Sequence, residues 1–143
     1  MKQITVLEVE YLAYSLAREF MSWDEPIPEF GSRFPNILES CLATPFQEFG
    51  GKSLYSGLVP KAAILFYLMV KNHPFKNGNK RIATTTLLLL LSGNGKWLKV
   101  DPAQLYRFAK WVAESDPTVK DGTVASIQKF ISTYLIPFPK KTP

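Results

Sequence analysis

The only histidine of this 143-residue chain lies directly ahead of a predicted helix start. The segment reads His73-Pro74-Phe75-Lys76-Asn77-Gly78-Asn79-Lys80-Arg81 and leads into a long apolar helical pattern. The first N–H groups of a helix are unpaired and lie at the positive end of its dipole, so they bind anions. Gly78 lets the backbone approach an anion closely, and Lys80 and Arg81 add positive charge. The segment therefore predicts a phosphate site at Gly78 to Arg81 with His73 as a proton acceptor at its rim.

This segment resembles the Fic/Doc family motif, which has the form H-P-F-x-[D/E]-G-N-[G/K]-R. Residues 73–81 match that form at every position but one. AMP-transferring Fic proteins have a second glycine at the position of Lys80. A lysine at this position resembles the motif of the Doc (death-on-curing) branch. Residues 38–45 also resemble the ESALARP-type segment that lies upstream of the motif in Doc-like proteins. A pattern of this length is far more specific than a lone glycine motif.

The resemblance implies a transferase that modifies a protein hydroxyl with a group from a nucleoside triphosphate. His73 would act as the general base, with Lys80 and Arg81 as catalytic cations. In the Doc branch the γ-phosphoryl group is transferred and ADP is released. The AMP-transferring branch has a second arginine at the position of Thr84. The absence of that arginine here also resembles the Doc branch. The branch further implies Mg²⁺, a protein substrate such as elongation factor Tu, and a separate antitoxin partner.

The one departure from the motif is Asn77, where the family has an Asp or Glu that binds magnesium. An Asn oxygen can ligate a hard cation but brings no charge. Asn77 is the predicted metal ligand, and the predicted cofactor-binding residues are Asn77, Gly78, Asn79, Lys80 and Arg81. Two alternatives stay open: transfer of AMP or UMP from the same site, or a catalytically weakened Fic-fold protein that acts by binding a partner. Replacing Asn77 by Asp would separate a weakened enzyme from a working site.

Composition places the chain among folded proteins, with 46% hydrophobic and 20% charged residues. Its length predicts one domain over residues 1–143. The net charge of +5 is too small and scattered to indicate DNA binding. The N-terminus has no signal-peptide pattern, and the apolar run Leu87 to Leu91 is too short to cross a membrane, so a cytoplasmic protein is expected. The single cysteine, Cys41, excludes an internal disulfide and is predicted to be buried.

The expected fold is all-α, a compact Fic/Doc-type bundle of about six helices with a possible small β-hairpin. Thr5 and Glu8 form a capping box, so a first helix is predicted from Val6 to about Phe20. Its predicted apolar stripe is Val9, Leu12, Leu16 and Phe20. The further predicted helices are Pro35 to before Pro45, Pro60 or Lys61 to Lys71, Asn79 or Lys80 to Gly93, Pro102 to Glu114, and Gly122 or Thr123 to Ile136.

The segments between these helices carry their own predictions. Residues 24–34 and 46–57 are irregular, and the resemblance gives the second segment the role of a flap that lays a target backbone beside His73. Pro74 biases His73 toward an extended backbone, and Phe75 is expected to turn inward as an anchor. Gly93 is predicted as a helix C-cap, residues 96–100 as a short strand, and residues 137–143 as a tail.

Overall fold

The computed structural model describes residues 1–20 and 27–139, and the Phe20 side chain lies outside that description. Six helices, three short 3-10 turns and two small two-stranded antiparallel sheets make up the regular structure in this part of the chain, which confirms the all-α prediction. Helix α1 runs without a break through an α-helical turn Val6–Glu8, a π-helical turn Val9–Ala13 and an α-helical segment Tyr14–Phe20. The other helices are α2 (Pro35–Ala43), α3 (Leu58–Lys71), α4 (Asn79–Gly93), α5 (Pro102–Glu114) and α6 (Lys120–Tyr134).

Helix α1 begins at the predicted capping box, but its π-helical turn changes which side is buried. The Thr5 hydroxyl oxygen accepts the Glu8 N–H at 3.1 Å, and the Glu8 carboxylate accepts the Thr5 N–H at 3.2 Å. The π turn adds one residue and so rotates the following side chains by roughly 100°. The buried residues are consequently Val9, Ala13, Tyr14 and Ala17. Leu12 is 47% exposed, so the predicted stripe is wrong at that position, and Leu16 is half-buried.

Helices α3 and α4 form the centre of the bundle. Every residue from Lys61 to Val70 is buried, and α3 packs against α2, α4, α5 and α6. Helix α3 begins at Leu58, two residues earlier than predicted, while its end at Lys71 agrees with the prediction. In α4 the residues from Arg81 to Leu87 are all buried, so most of this helix is enclosed by its neighbours.

A two-stranded antiparallel sheet closes the end of the bundle that lies opposite the start of α4. Strand β3 (Lys96–Leu98) pairs with β4 (Leu135–Pro137), so that Trp97 lies opposite Ile136. Helix α6 therefore ends at Tyr134 and does not reach Ile136 as predicted, because residues 135–137 pair with β3. The Phe138 N–H donates to the Gly95 carbonyl at 2.9 Å. Pro137 and Phe138 are thus not part of a tail, and residues 140–143 lie outside the described residues.

The turn into β3 corrects the predicted helix C-cap. Gly93 is the last residue of α4, and Asn94 follows as the cap with a φ of −113°. The left-handed residue is Gly95, with a φ of 77°. The N–H groups of Asn94 and Gly95 donate to the carbonyls of Leu91 and Ser92. The helix therefore continues past the first glycine, and the second glycine makes the turn.

A β-hairpin lies within the segment that was predicted to be irregular. Strand β1 (Glu48–Phe49) pairs with β2 (Lys52–Ser53) across a Gly50-Gly51 turn in which both glycines have positive φ. Phe49 is 81% exposed. The hairpin therefore projects from the bundle and presents an extended edge.

Several aromatic residues lie in the core or pack against it. Phe66 and Tyr67 are buried, and the rings of Phe108 and Phe130 stack with centroids 4.0 Å apart. Trp111 differs, because 48% of it is exposed. No helix in the described part of the chain combines the length and the apolar character that crossing a bilayer requires.

Cys41 lies in α2 and is fully buried, as predicted. Burial raises the pKa of its thiol to about 11, because a thiolate would lose its hydration there. We expect the thiol of the native protein to react negligibly with a thiol reagent at neutral pH. In the urea-unfolded protein, one thiol per chain should react with the reagent. Colorimetric thiol titration with and without urea measures this. Equal labelling rates in the two states would contradict the prediction.

Candidate functional site

His73 lies in the turn between α3 and α4 and is exposed to solvent. Helix α3 ends at Lys71 with Asn72 as its cap, and His73 follows with a φ of 51°. This left-handed conformation contradicts the extended backbone predicted from Pro74. A left-handed residue with a side chain costs roughly 1–2 kcal/mol, so the contacts on either side of His73 must impose it.

Two contacts on the C-terminal side of His73 hold this turn in place. Pro74 is buried, and its carbonyl accepts the Phe34 N–H at 2.8 Å, which joins the turn to the start of α2. Phe75 points inward with 1% exposure, as predicted, and packs against Tyr14 and Phe30 at ring-centroid distances of 6.1 and 5.9 Å. These contacts determine where Pro74 and Phe75 lie, so the chain reverses direction at His73.

Asn79 closes the turn from the other side. Its amide oxygen accepts the Phe75 N–H at 2.9 Å, and its amide nitrogen donates to the Phe75 carbonyl at 2.8 Å. The side chain is 8% exposed and therefore satisfies two buried peptide groups that are otherwise costly to leave unpaired. The sequence predicted Asn79 as a cofactor-binding residue. The structure places it as a clamp on the loop that carries His73.

The same clamp orients the His73 ring. The Asn79 amide nitrogen lies 3.4 Å from His73 Nδ1. Its two bonds to Phe75 fix which end of the amide is the nitrogen, so the group facing His73 is a donor. A neutral His73 then keeps Nδ1 unprotonated on this side and carries its proton on Nε2. The contact is long and weak, so a substrate hydroxyl can replace it.

Gly78 forms the start of α4 and has a φ of 73°. A Cβ atom at this position would lie 3.0 Å from the Ile27 side chain and 3.6 Å from Arg81 Nη2. Both the backbone conformation and the available space therefore require glycine. Because glycine is the N-cap, no side chain at this position covers the first-turn N–H groups, as the predicted anion site requires.

The structure brings Asn77, Lys80 and Arg81 to the same helix start. The Asn77 amide oxygen accepts the Gly78 N–H at 2.8 Å, and Lys80 is half-buried in the first turn. Arg81 is only 2% exposed. Its guanidinium therefore adds positive charge close to the start of α4. For the guanidinium to contact a ligand directly, the residues that cover it would have to move. These residues surround one helix start, and His73 lies in the turn that leads to it.

Thr84 follows Arg81 by one helical turn and is 2% exposed. Its hydroxyl donates to the Lys80 carbonyl at 2.8 Å. The position therefore adds no positive charge to the helix start. An arginine here would bring a second guanidinium to the same face of α4.

Lys61 is a residue of interest that the sequence analysis did not single out. It is 7% exposed, and its ammonium group donates to the Ser53 hydroxyl at 2.9 Å and to the Tyr55 carbonyl. It also lies over the Phe46 ring, 5.6 Å from the centroid. Lys61 thus ties the β1–β2 hairpin to the first turn of α3. A lone lysine within an otherwise apolar helix was the signal that could have identified it.

The position of the Lys61 hydrogen bonds shows where the predicted flap is attached relative to His73. Lys61 lies near the beginning of α3 and His73 just after its end, so the roughly 15 Å of helix from Lys61 to Lys71 separates them at 1.5 Å per residue. The base of the hairpin therefore lies at the far end of α3 from His73. The extended edge that the flap role needs is present, and its role in binding a target stays a prediction.

The fold and this turn define an all-α bundle that presents a histidine beside a helix start whose N-cap is a glycine. The sequence profile of the Fic/DOC family matches residues 7–91, which is more than half of the chain. The protein therefore belongs to the Fic/DOC family, which is generally a family of enzymes that transfer nucleotide-derived groups to proteins. Comparisons of the chain with curated proteins and with solved structures found no match.

Proposed function

We propose that this protein transfers the γ-phosphoryl group of a nucleoside triphosphate, ATP in the first instance, to a protein hydroxyl. The observation that carries the proposal is the Asn79 clamp, which holds the His73 loop against the helix start that carries Gly78. Phosphoryl transfer depends mainly on positioning and on neutralising charge. One clamped loop supplies both, because it fixes a base beside a set of anion-binding groups.

His73 is the proposed general base. It is exposed, so a target hydroxyl can reach it, and the weak contact with Asn79 orients the ring until that hydroxyl takes the place of the amide at Nδ1. Nδ1 then removes the proton of the target hydroxyl as that oxygen attacks the γ-phosphorus, and the bond between the γ-phosphorus and the oxygen that bridges to the β-phosphate breaks, so that ADP leaves. The strained backbone at His73 fits this role, since strain of this kind concentrates at functional sites.

The start of α4 is the proposed phosphate site. The first-turn N–H groups point at the ligand, Gly78 allows the close approach, and Lys80 and Arg81 neutralise negative charge that develops during transfer. Lys80 and Thr84 support the Doc-type reaction over AMP transfer, because both positions differ from the pattern of the AMP-transferring branch. The neutral, hydrogen-bonded Thr84 leaves Lys80 as the partly exposed cation of this turn.

Asn77 is the proposed contact for magnesium. Its amide oxygen faces the helix start, where it accepts the Gly78 N–H, and an amide oxygen can accept two partners. This neutral oxygen fits an ion that arrives on the nucleotide and takes its remaining ligands from phosphate and water. Magnesium bound in this way would neutralise phosphate charge during transfer.

The proposed partners follow from the branch. The substrate is a protein, with a translation factor such as elongation factor Tu as the first candidate, and a separate antitoxin holds the enzyme inactive. The extended edge of the β1–β2 hairpin is the proposed site at which a target backbone adds as a further strand.

The test uses purified protein, bacterial extract, magnesium and ATP labelled at either the α- or the γ-phosphate. We expect the label to reach a protein from the γ position and not from the α position. Transfer of the α label would assign the chain to nucleotide transfer. If neither label exceeds the background of a His73→Ala control, ATP-dependent modification is refuted.

Asn77→Asp tests the magnesium contact. The added carboxylate should bind magnesium more tightly, because cation affinity rises with the charge of the ligands. We expect the magnesium concentration for half-maximal transfer to fall several-fold, with little change in maximal rate. A magnesium titration of the labelling rate measures this, and Asn72→Ala, an exposed neighbour of His73, is the control. An unchanged midpoint would show that residue 77 does not contact the ion.

A further inference from the structure

Lys71 is the last residue of α3, two positions before His73, and its ammonium group contacts a distant part of the chain. It donates to the Ala113 carbonyl at 3.1 Å and to the Ser115 carbonyl at 2.5 Å. Ala113 lies in the last turn of α5, and Ser115 is the C-cap of that helix. The last carbonyls of a helix have no partner within it and lie at the negative end of its dipole, so a lysine ammonium binds there favourably.

The charge of Lys71 also acts on the turn that follows α5. Hydrogen bonds from Thr118 and the positive charge of Lys71 lower the pKa of the Asp116 carboxyl. Asp116 is the N-cap of the 3-10 turn Pro117–Val119, which leads into α6. Lys71 therefore joins the end of α3 to the segment between α5 and α6.

His73 is thus fixed on its N-terminal side as well as on its C-terminal side. Lys71 attaches the end of α3 to α5, and the Pro74 carbonyl is attached to α2 through the Phe34 N–H. Asn72 keeps a helical backbone, with a φ of −92° and a ψ of −3°. The reversal of the chain therefore falls on His73, whose φ of 51° is unfavourable for a residue with a side chain. If the end of α3 were free, its last turn could fray and share the reversal.

We propose that Lys71 is a positioning residue for the general base. Its two hydrogen bonds to the end of α5 hold the last turn of α3, and this hold keeps His73 in the left-handed conformation that faces Asn79. The inference rests on the proposed function, because it gives that conformation a part in phosphoryl transfer. A reacting group displaced by about 1 Å can lose roughly 10²-fold in rate, so the hold matters for transfer.

The first test compares transfer with nucleotide binding. Lys71→Met removes the ammonium group and nearly keeps the length of the side chain. We expect the rate of γ-label transfer at saturating ATP to fall by about 10–100-fold, while the calorimetric affinity for ATP stays unchanged. Lys71→Arg can still donate to both carbonyls and should restore most of the rate. Lys110→Met removes an exposed lysine of α5 and is the matched control, which should change neither quantity.

The second test measures the hold through stability, without a transfer assay. In the wild-type background, His73→Gly should be more stable than His73→Ala by up to about fivefold in the equilibrium constant for folding. In a Lys71→Met background this advantage of glycine should disappear, because residue 73 is no longer forced into a left-handed backbone. Urea unfolding of the variants in both backgrounds measures the difference, and circular dichroism checks that each variant is folded.

The possible outcomes separate this inference from the proposed function. Transfer at the wild-type rate by Lys71→Met, or an undiminished advantage of glycine in that background, would overturn the inference alone. Equal stability of the two His73 variants in the wild-type background would also overturn it, because the turn would then carry no strain. If Lys71→Met does not fold, Lys71→Gln replaces it with the same expectations, since its shorter, uncharged side chain weakens the same bonds. If the wild type transfers no label, the proposed function fails and the role of Lys71 in transfer fails with it, whereas the stability comparison still decides whether Lys71 holds the turn.

Discussion

Replacement of His73 by alanine is expected to lower the rate of phosphoryl transfer by about 10²–10⁴-fold, because the target hydroxyl loses its general base. Nucleotide affinity should hardly change, since the phosphates lie on the start of α4. Initial rates of γ-label transfer measure the first effect and calorimetry the second. Asn72→Ala is the control for removing an exposed side chain from the same turn.

Because the backbone at His73 is left-handed, a second variant, His73→Gly, separates the effect on catalysis from the effect on stability. His73→Gly should be as inactive as His73→Ala. It should, however, be more stable than the alanine variant by up to about 1 kcal/mol, because glycine adopts this φ without strain and only part of that gain is lost to backbone entropy. Transfer at near wild-type rate by either variant would remove His73 from the mechanism.

Asn79→Ala is expected to destabilise the protein by about 2–6 kcal/mol and to abolish transfer. The substitution leaves the N–H and the carbonyl of buried Phe75 without their partners, and each costs roughly 1–3 kcal/mol. It also removes the contact that orients His73. Urea unfolding gives the change in the free energy of unfolding, and γ-label transfer gives the activity.

Asn94→Ala is the matched control for this effect. The Asn94 side chain also clamps a peptide unit, because its oxygen accepts the Lys2 N–H and its nitrogen donates to the Lys2 carbonyl. The Lys2 groups are exposed, and the Leu90 carbonyl, which also accepts from the Asn94 amide nitrogen, is only partly buried, so water can replace the lost bonds and the expected cost is about 1 kcal/mol. If the two alanine variants lose equal stability, the Asn79 clamp is not what holds the loop.

Local signals in the sequence predicted most of the helices because they act through neighbouring residues. The Thr5–Glu8 capping box and the Asp101 N-cap, whose carboxylate accepts the Ala103 N–H at 2.8 Å, start α1 and α5 at the predicted residues. The buried side of α1 could not be predicted in the same way. The π turn shifts the pattern by one residue, and packing against α4 favours it, as the bond from the Thr85 hydroxyl to the Ala13 carbonyl indicates.

The end of α6 likewise depends on a tertiary contact that local sequence signals do not predict. Helix propensity and the apolar pattern extend to Ile136, but residues 135–137 gain backbone partners in β3, nearly forty positions earlier in the chain. Pairing over that distance depends on how the bundle brings the two segments together. A window of neighbouring residues holds no information about it.

For the candidate site, the sequence by itself determined which residues are present: one histidine, a glycine at the start of a helix, and two cations behind it. It also gave the family resemblance, and the family profile confirms membership. Only the tertiary structure decided how these residues are held. The left-handed turn at His73 exists because Phe75 is fixed between Tyr14 and Phe30 while Asn79 bonds both of its peptide groups. Spacing along the chain specifies the groups that can react, whereas contacts between distant elements set the backbone angles that aim them.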